Sequence, residues 1–80
     1  MNYVYVLKSE LDGRLYIGQT NNVEKRLIYH NSGWVKSTRN RRPLKILYKE
    51  QFNSRAEAMK REQYLKSLKG GNEFQKIISE

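Results

Sequence analysis

The sequence predicts an α+β fold in which one small sheet is covered by helices, with the element order β-β-α-β-α-α. Three segments rich in β-branched and aromatic residues are typical of strands. Three other segments begin with Ser or Asn three positions before Glu or Gln, a spacing typical of helix N-termini. The chain has 80 residues, and a domain of that size buries only roughly 60% of its unfolded surface. We therefore expect one domain, spanning residues 1–80.

A β-hairpin is expected at the start of the chain. Residues 3–7 and 15–17 are the predicted strands, and an Asp-Gly pair at residues 12–13 is a turn signal between them. Side chains alternate across a strand, so Tyr5 and Tyr16 share a face when the numbers of paired residues sum to an odd value. A slip of one residue would separate them. Taken alone, such a pair is more typical of core packing than of catalysis.

One more strand and three helices are predicted after the hairpin. Asn31 and Gly33 are stop signals for the first helix. The second helix runs to about Lys69 and stops at the glycines 70–71, and residues 44–48 form the third strand. The helix start signals are Asn21 with Glu24, Ser54 with Glu57, and Asn72 with Gln75.

The positive charge of the chain is confined to its centre. The formal net charge is +8, from 16 Lys and Arg against 8 Asp and Glu. Half of these basic residues lie in residues 25–49, which hold no acidic residue. The rest of the chain has equal numbers of basic and acidic residues. Clustered cations favour a polyanion such as nucleic acid over a surface that is basic only for solubility, because they displace counterions from phosphates. The predicted contacts to nucleic acid are Lys25, Lys36, Arg39, Arg41, Arg42 and Lys45.

Composition excludes several other classes of protein. The chain has no Cys and a single histidine, His30. Disulfide scaffolds, Cys-ligated metal sites and paired-histidine metal sites are therefore excluded. The apolar run at residues 3–7 is too short to cross a membrane or to form the core of a signal peptide. We therefore expect no membrane partner and a cytoplasmic location.

Three polar side chains are predicted beside buried surfaces. Arg26 and His30 lie four positions apart, on the face of the first helix that carries its apolar residues. Glu62 lies beside Ala58 and Leu65 on the inward face of the second helix. Each also has a purely structural interpretation. Arg26 would lie at the edge of the core with its guanidinium in water, and His30 would be a buried histidine whose ring nitrogens are hydrogen-bonded. Glu62 would form an ion pair with a nearby Lys or Arg. Together with a tyrosine they form the set that a metal-assisted phosphodiesterase uses.

Three groups of residues also occur in a characteristic order. They are the tripeptides Tyr3-Val4-Tyr5 and Tyr16-Ile17-Gly18, followed by Arg26, His30 and Glu62. In these residues and their spacing the chain resembles the GIY-YIG endonuclease superfamily. The resemblance extends from residue 3 to about residue 78. It is strongest to small stand-alone bacterial members, which are related to the nuclease domain of the excision-repair nuclease C subunit.

The resemblance implies a three-stranded antiparallel sheet flanked by helices, and cleavage of DNA with one divalent cation, Mg²⁺ or Mn²⁺. Tyr5 and Tyr16 correspond to the tyrosines of the two motifs, and either could be the general base. Arg26 matches the arginine of the first helix, and His30 stands where members carry His or Tyr. Glu62 matches the glutamate that binds the metal.

Further expectations follow from the same resemblance. Asn72 matches a late asparagine found in some members, and a role in DNA repair is implied. Tyr3 replaces the first glycine of the first motif. Characterised members often carry a separate DNA-targeting domain, which this chain lacks, so we expect little sequence preference or a targeting protein. The alternative function is a non-catalytic nucleic-acid-binding module of the same fold, which would keep the basic segment without a working metal site.

Overall fold

Three strands and three helices occur in the predicted order in a computed structural model, which describes residues 1–79. The strands form one antiparallel sheet in the order β2-β1-β3, so the predicted α+β class and the sheet are confirmed. A short 3-10 helix, Arg39–Arg41, precedes the third strand. The main elements are β1 (Asn2–Ser9), β2 (Leu15–Thr20), α1 (Val23–Asn31), β3 (Leu44–Phe52), α2 (Arg55–Leu68) and α3 (Asn72–Ile78).

The central strand β1 is buried on both faces, which explains its continuous run of apolar residues. Its side chains alternate, so two neighbouring pairs enter two different cores. Val4 and Val6 pack against α2 and α3, whereas Tyr5 and Leu7 pack against α1 and the start of β3. Burying each such side chain contributes about 1.5–3 kcal/mol. The α2-side cluster contains Val4, Val6, Ile17, Ala58, Leu65 and Phe74, and the α1-side cluster contains Tyr5, Leu7, Val23 and Leu44.

Strand β3 is longer than predicted and carries a bulge. The register pairs Val6 with Tyr48 but Leu7 with Ile46, which leaves Leu47 as the extra residue. Because a bulge adds one residue to one strand, the side chains on either side of it point to opposite faces of the sheet, and both can be buried while the strand bends. Ile46 therefore packs on the α1-side cluster and Tyr48 on the α2-side cluster.

The caps of two helices differ from the prediction by one residue. Asn22, rather than Asn21, caps α1: its backbone is extended and its Oδ1 accepts a hydrogen bond from the Lys25 amide at 3.0 Å. The cap of α3 is Gly71, so the prediction of Asn72 was wrong, and Asn72 is the first helical residue. Both shifts arise because the cap is the residue whose backbone is extended before the first helical turn. The Ser54 cap of α2 is confirmed.

Two side chains tether the connection between α1 and β3. Asn31 is the last residue of α1, and its amide group forms hydrogen bonds with both main-chain groups of Leu44, at 2.9 and 2.8 Å. Ser9, buried at the end of β1, donates a hydrogen bond to the Arg41 carbonyl at 2.6 Å. These bonds attach the basic connection to the sheet. Among residues 1–79, no helix has the length and hydropathy needed to span a membrane.

Candidate active site

The two motif tyrosines lie on the same face of the sheet, which the sequence left to the register of the hairpin. Tyr5 pairs with Gly18 and Leu7 pairs with Tyr16, so the paired numbers sum to an odd value. The Tyr5 ring lies directly over the Gly18 backbone: a Cβ at residue 18 would be 2.5 Å from Tyr5 Oη and 2.7 Å from Cζ. The glycine of the second motif therefore leaves the space that the tyrosine of the first motif occupies.

This contact predicts that Gly18→Ala destabilises the fold by about 1–3 kcal/mol, as expected for overpacking around a buried ring. The free energy of unfolding in urea would measure the loss. The same substitution in a Tyr5→Leu background should cost less, because the clashing phenol is gone. Equal costs in the two backgrounds would contradict the proposed contact.

Tyr5, Tyr16 and His30 form a three-ring cluster. The ring centroids are 6.3 Å apart for Tyr5 and Tyr16, 6.0 Å for Tyr5 and His30, and 4.8 Å for Tyr16 and His30. Tyr5 and His30 are fully buried, whereas Tyr16 is half-buried. Tyr16 is therefore the ring of the cluster that can meet solvent or a substrate.

His30 is held by hydrogen bonds at both ring nitrogens. Its Nε2 lies 3.1 Å from Tyr5 Oη, and its Nδ1 lies 2.8 Å from the Oγ1 of the buried Thr38. Tyr5 Oη is a hydroxyl, so its O–H can donate to Nε2. We assign the proton to Nδ1 on this basis, with Thr38 Oγ1 as its acceptor and Val35 O accepting from Thr38 at 3.5 Å.

The surroundings of Tyr5 and His30 keep both side chains neutral near pH 7. Burial lowers the pKa of His30 to about 4, and the nearby Arg26 charge adds to the effect. Burial also raises the pKa of Tyr5 above its usual value; the hydrogen bond from Arg26 opposes the rise, and Tyr16 and Glu62 add to it. Tyr5 is therefore a hydrogen-bond donor and His30 a neutral acceptor at physiological pH.

The lowered pKa predicts that acid destabilises this protein through its one histidine. The unfolded chain protonates His30 near the usual value of 6.5, but the folded chain does so only near 4. The stabilisation is thus complete above pH 6.5 and is lost as the pH falls toward 4. Urea unfolding should give about 2 kcal/mol less stability at pH 5 than at pH 7 from this group.

The variant His30→Gln is the control for that measurement, since it removes the only imidazole while the carboxylates still titrate. Its stability should change less between pH 7 and pH 5 than that of the natural protein. An NMR titration that placed the His30 pKa near 6.5 in the folded state would contradict the prediction.

Arg26 lies in the wall of a cleft next to this cluster. Its guanidinium is half-buried, lies 4.9 Å from the centroid of the Tyr29 ring, and is within electrostatic reach of both motif tyrosines. The cleft has a volume of about 240 Å³ and places a second cation, Lys25, beside Arg26. Such a cleft can hold a phosphate group. Its lining residues are Thr20, Asn21, Asn22, Lys25, Arg26 and Tyr29.

Glu62 lies on α2 and forms the ion pair that the structural interpretation predicted. Its side chain is 14% exposed, and its Oε2 lies 2.9 Å from Lys66 Nζ. The carboxylate is nonetheless close enough to Tyr5 to raise the pKa of that phenol. Glu62 therefore lies within electrostatic range of Tyr5 while its charge is paired with Lys66, one turn along the helix.

A single carboxylate is a suitable donor for one kind of metal site. Among residues 1–79, no three His, Cys, Asp or Glu side chains cluster closely enough to hold a metal by themselves. Mg²⁺ is commonly bound by one or two carboxylates together with waters and substrate phosphates. A single carboxylate such as Glu62 fits a metal that is shared with a substrate phosphate, and it does not fit a closed structural site.

The predicted basic contacts spread over one connected region. Lys25 lines the cleft, and Lys45 is exposed on β3. Arg41 differs from the others because it is half-buried, and its carbonyl holds Ser9. Salt bridges within residues 1–79 engage none of the six predicted cations. The exposed members on the connection are Lys36, Arg39 and Arg42.

Two further sequence predictions have clear structural outcomes. Tyr3, at the position of the first motif glycine, packs on the α1-side cluster with Lys49 Nζ 6.0 Å from its ring centroid. This departure from the motif is thus accommodated by packing. Asn72 is exposed at the start of α3, and no contact within residues 1–79 links it to Tyr5 or His30. Thr38, by contrast, carries no local signal and is found only through its contact with His30.

The chain is similar to known proteins over nearly its whole length. The family model described as the GIY-YIG catalytic domain matches residues 1–75. A UPF0213 protein of Clostridium perfringens is 49% identical over 80 residues, which cover 99% of this chain and 85% of the relative. A UPF0213 protein of Staphylococcus saprophyticus is 41% identical, with 99% and 95% covered. The solution NMR structure of a UPF0213 protein of Bacillus halodurans superposes with a TM-score of 0.62 at 37% identity, covering 99% of this chain and 84% of that one.

Proposed function

This chain belongs to the GIY-YIG family, and we propose that it is a metal-dependent endonuclease that hydrolyses phosphodiester bonds in DNA. Membership of a nuclease domain family supports action on nucleic acid. The observation that carries the proposal is the hydrogen-bonded pair of Tyr5 and His30, with Arg26 of the cationic cleft and the Glu62 carboxylate both within electrostatic range of Tyr5. A module that only bound phosphates would gain nothing from a carboxylate there, because it would repel them.

Each side chain has a distinct role in the proposed reaction. Arg26 binds the scissile phosphate in the cleft and offsets the charge that develops during attack. Tyr16 is the ring of the cluster that reaches solvent, and it takes a proton from the attacking water. Tyr5 and His30 position the Arg26 guanidinium. Glu62 holds the divalent cation, Mg²⁺ or Mn²⁺, which when bound stabilises charge on the phosphate and the leaving oxygen.

A plasmid-nicking assay tests the proposal directly. Purified protein is incubated with supercoiled plasmid and Mg²⁺, Mn²⁺ or EDTA, beside a Glu62→Gln variant purified in parallel. We expect nicked circles with the metals, none with EDTA, and none from the variant. Equal nicking by both proteins would indicate a contaminating nuclease and would overturn the proposal.

The non-catalytic alternative makes a different prediction for the same protein. Such a module would bind DNA with an affinity that falls steeply with salt, yet leave the plasmid intact with every metal. The preference for DNA over RNA, a role in repair, a targeting partner and a cytoplasmic location all belong to the proposal. They rest on the family resemblance and on the charge of the central segment.

A further inference from the structure

Two aromatic rings at the end of α1 are stacked on the surface. Tyr29 and Trp34 have ring centroids 6.3 Å apart and an angle of 17° between their planes. Trp34 is 71% exposed and Tyr29 is 42% exposed, and neither belongs to the buried clusters. Stacked rings of this size that contribute little to a core present a flat apolar face to whatever binds there.

The turn between the rings explains how they come together. Gly33 has a positive φ of 88°, which favours glycine, and it directs the chain so that Trp34 returns over Tyr29. The absent side chain of Gly33 also makes room for Arg42, whose Nη1 would lie 2.9 Å from a Cβ there. The conformation of this turn thus sets both an aromatic face and a cation next to it.

Two guanidinium groups lie close to the stacked pair. Arg26 lies over the Tyr29 ring at 4.9 Å, and this same arginine lines the proposed phosphate cleft. Arg42 lies at the other end, against Gly33, and is oriented by a 2.7 Å hydrogen bond from its Nε to the Arg39 carbonyl. An apolar face between two cations suits a nucleotide, which has a flat base and a charged phosphate.

We propose that Tyr29 and Trp34 form a stacking platform for an unpaired base of single-stranded DNA, with the neighbouring phosphates bound by Arg26 and Arg42. This inference rests on the proposed function, because it names the form of DNA that the site binds most tightly. Bases inside a duplex are already stacked on each other and cannot offer a free face. Stacking is tolerant of sequence, because every base has such a face. The platform therefore directs the site to DNA with unpaired nucleotides next to the scissile phosphate.

Trp34 is the only tryptophan in the chain, so its fluorescence reports on the platform directly. The Glu62→Gln protein in EDTA is titrated with a single-stranded oligonucleotide, a duplex closed at both ends, and an oligonucleotide of the same length whose residues are all abasic. We expect strong quenching by the first and little by the other two. Equal quenching by the abasic strand would show that phosphates alone cause the signal, and would overturn the proposal.

Variants test the same point by affinity, measured from the anisotropy of a labelled strand. Trp34→Ala should weaken binding of the single strand about 10- to 100-fold, and Trp34→Phe should restore most of it. The salt dependence should be unchanged, because no charge is removed. Ile28→Ala is the matched control: Ile28 is as exposed as Trp34, at 71%, and lies on the helix that carries Tyr29, and its loss should leave affinity unchanged.

Two outcomes would overturn the platform. One is unchanged affinity for the single strand in Trp34→Ala. The other is a dimer of the natural protein, seen by light scattering, that Trp34→Ala converts to a monomer, since the rings would then serve a second copy of the chain. Neither outcome bears on the proposed cleavage, because these measurements need no metal and no turnover, whereas the plasmid assay needs both.

Discussion

Replacing Arg26 with alanine should reduce DNA cleavage at least about a hundred-fold at saturating DNA, the cost typical of losing one donor to a charged transition state. DNA binding should weaken only a few-fold, because many other cations remain in the basic segment. The side chain is placed against the Tyr29 ring, with its guanidinium carbon 4.9 Å from the ring centroid. The initial rate of plasmid nicking, compared with affinity in EDTA, separates these two effects.

Two control variants sharpen the interpretation of this result. Arg26→Lys keeps the charge but loses the planar fork, and should recover only part of the activity. Arg39→Ala removes one exposed cation from the connection. It should lower the slope of affinity against salt by about one, and leave cleavage at saturating DNA unchanged. If Arg26→Ala behaved like Arg39→Ala, Arg26 would be an ordinary phosphate contact without a role in the chemical step.

Replacing Glu62 with glutamine should lower metal-dependent cleavage about a thousand-fold, equivalent to roughly 4 kcal/mol of the barrier. Glutamine has the size of glutamate but lacks the charge that holds a divalent cation. DNA affinity in EDTA should be equal to that of the natural protein or higher, because a negative charge near the phosphate is removed. Nicking rates over a range of Mg²⁺ or Mn²⁺ concentrations would measure the effect.

The ion pair of Glu62 supplies a matched control. Lys66→Ala removes the same 2.9 Å salt bridge from its other end. A partly exposed pair at this helical spacing contributes only about 0.3–0.5 kcal/mol, so Lys66→Ala should fold normally and retain cleavage. If Lys66→Ala lost activity as completely as Glu62→Gln, the pair itself would matter, and the metal-binding role of Glu62 would be wrong.

Much of the fold could be predicted because its signals are local. The strands follow from their β-branched and aromatic residues and an Asp-Gly turn, and the helices from their capping residues, whereas the odd register sum was left open by the sequence and is set by the pairing of β1 with β2. The helix caps were less predictable. Asn21 and Asn22 are chemically identical candidates, and only the path of the backbone out of β2 selects Asn22. The same applies to Gly71, which caps α3 by its extended conformation without a side-chain hydrogen bond.

The candidate site was predictable in its members but not in its contacts. The positions of Tyr5, Tyr16 and Arg26 follow from strand and helix geometry, so their proximity could be anticipated. The partner of His30 could not, because Thr38 lies eight residues away in an irregular connection. Nor could the pairing of Trp34 with Tyr29, which depends on the conformation of Gly33.

By itself the sequence determined the order of the elements, the basic centre and the family. These depend on patterns over a few residues, where propensity and side-chain alternation suffice. The tertiary structure alone decided that Tyr5 lies over Gly18, that His30 is buried and neutral, that Glu62 is paired with Lys66, and that two rings are stacked on the surface. Burial and the distances between side chains from different elements depend on how the whole chain packs, and pKa shifts and ion pairs follow from them.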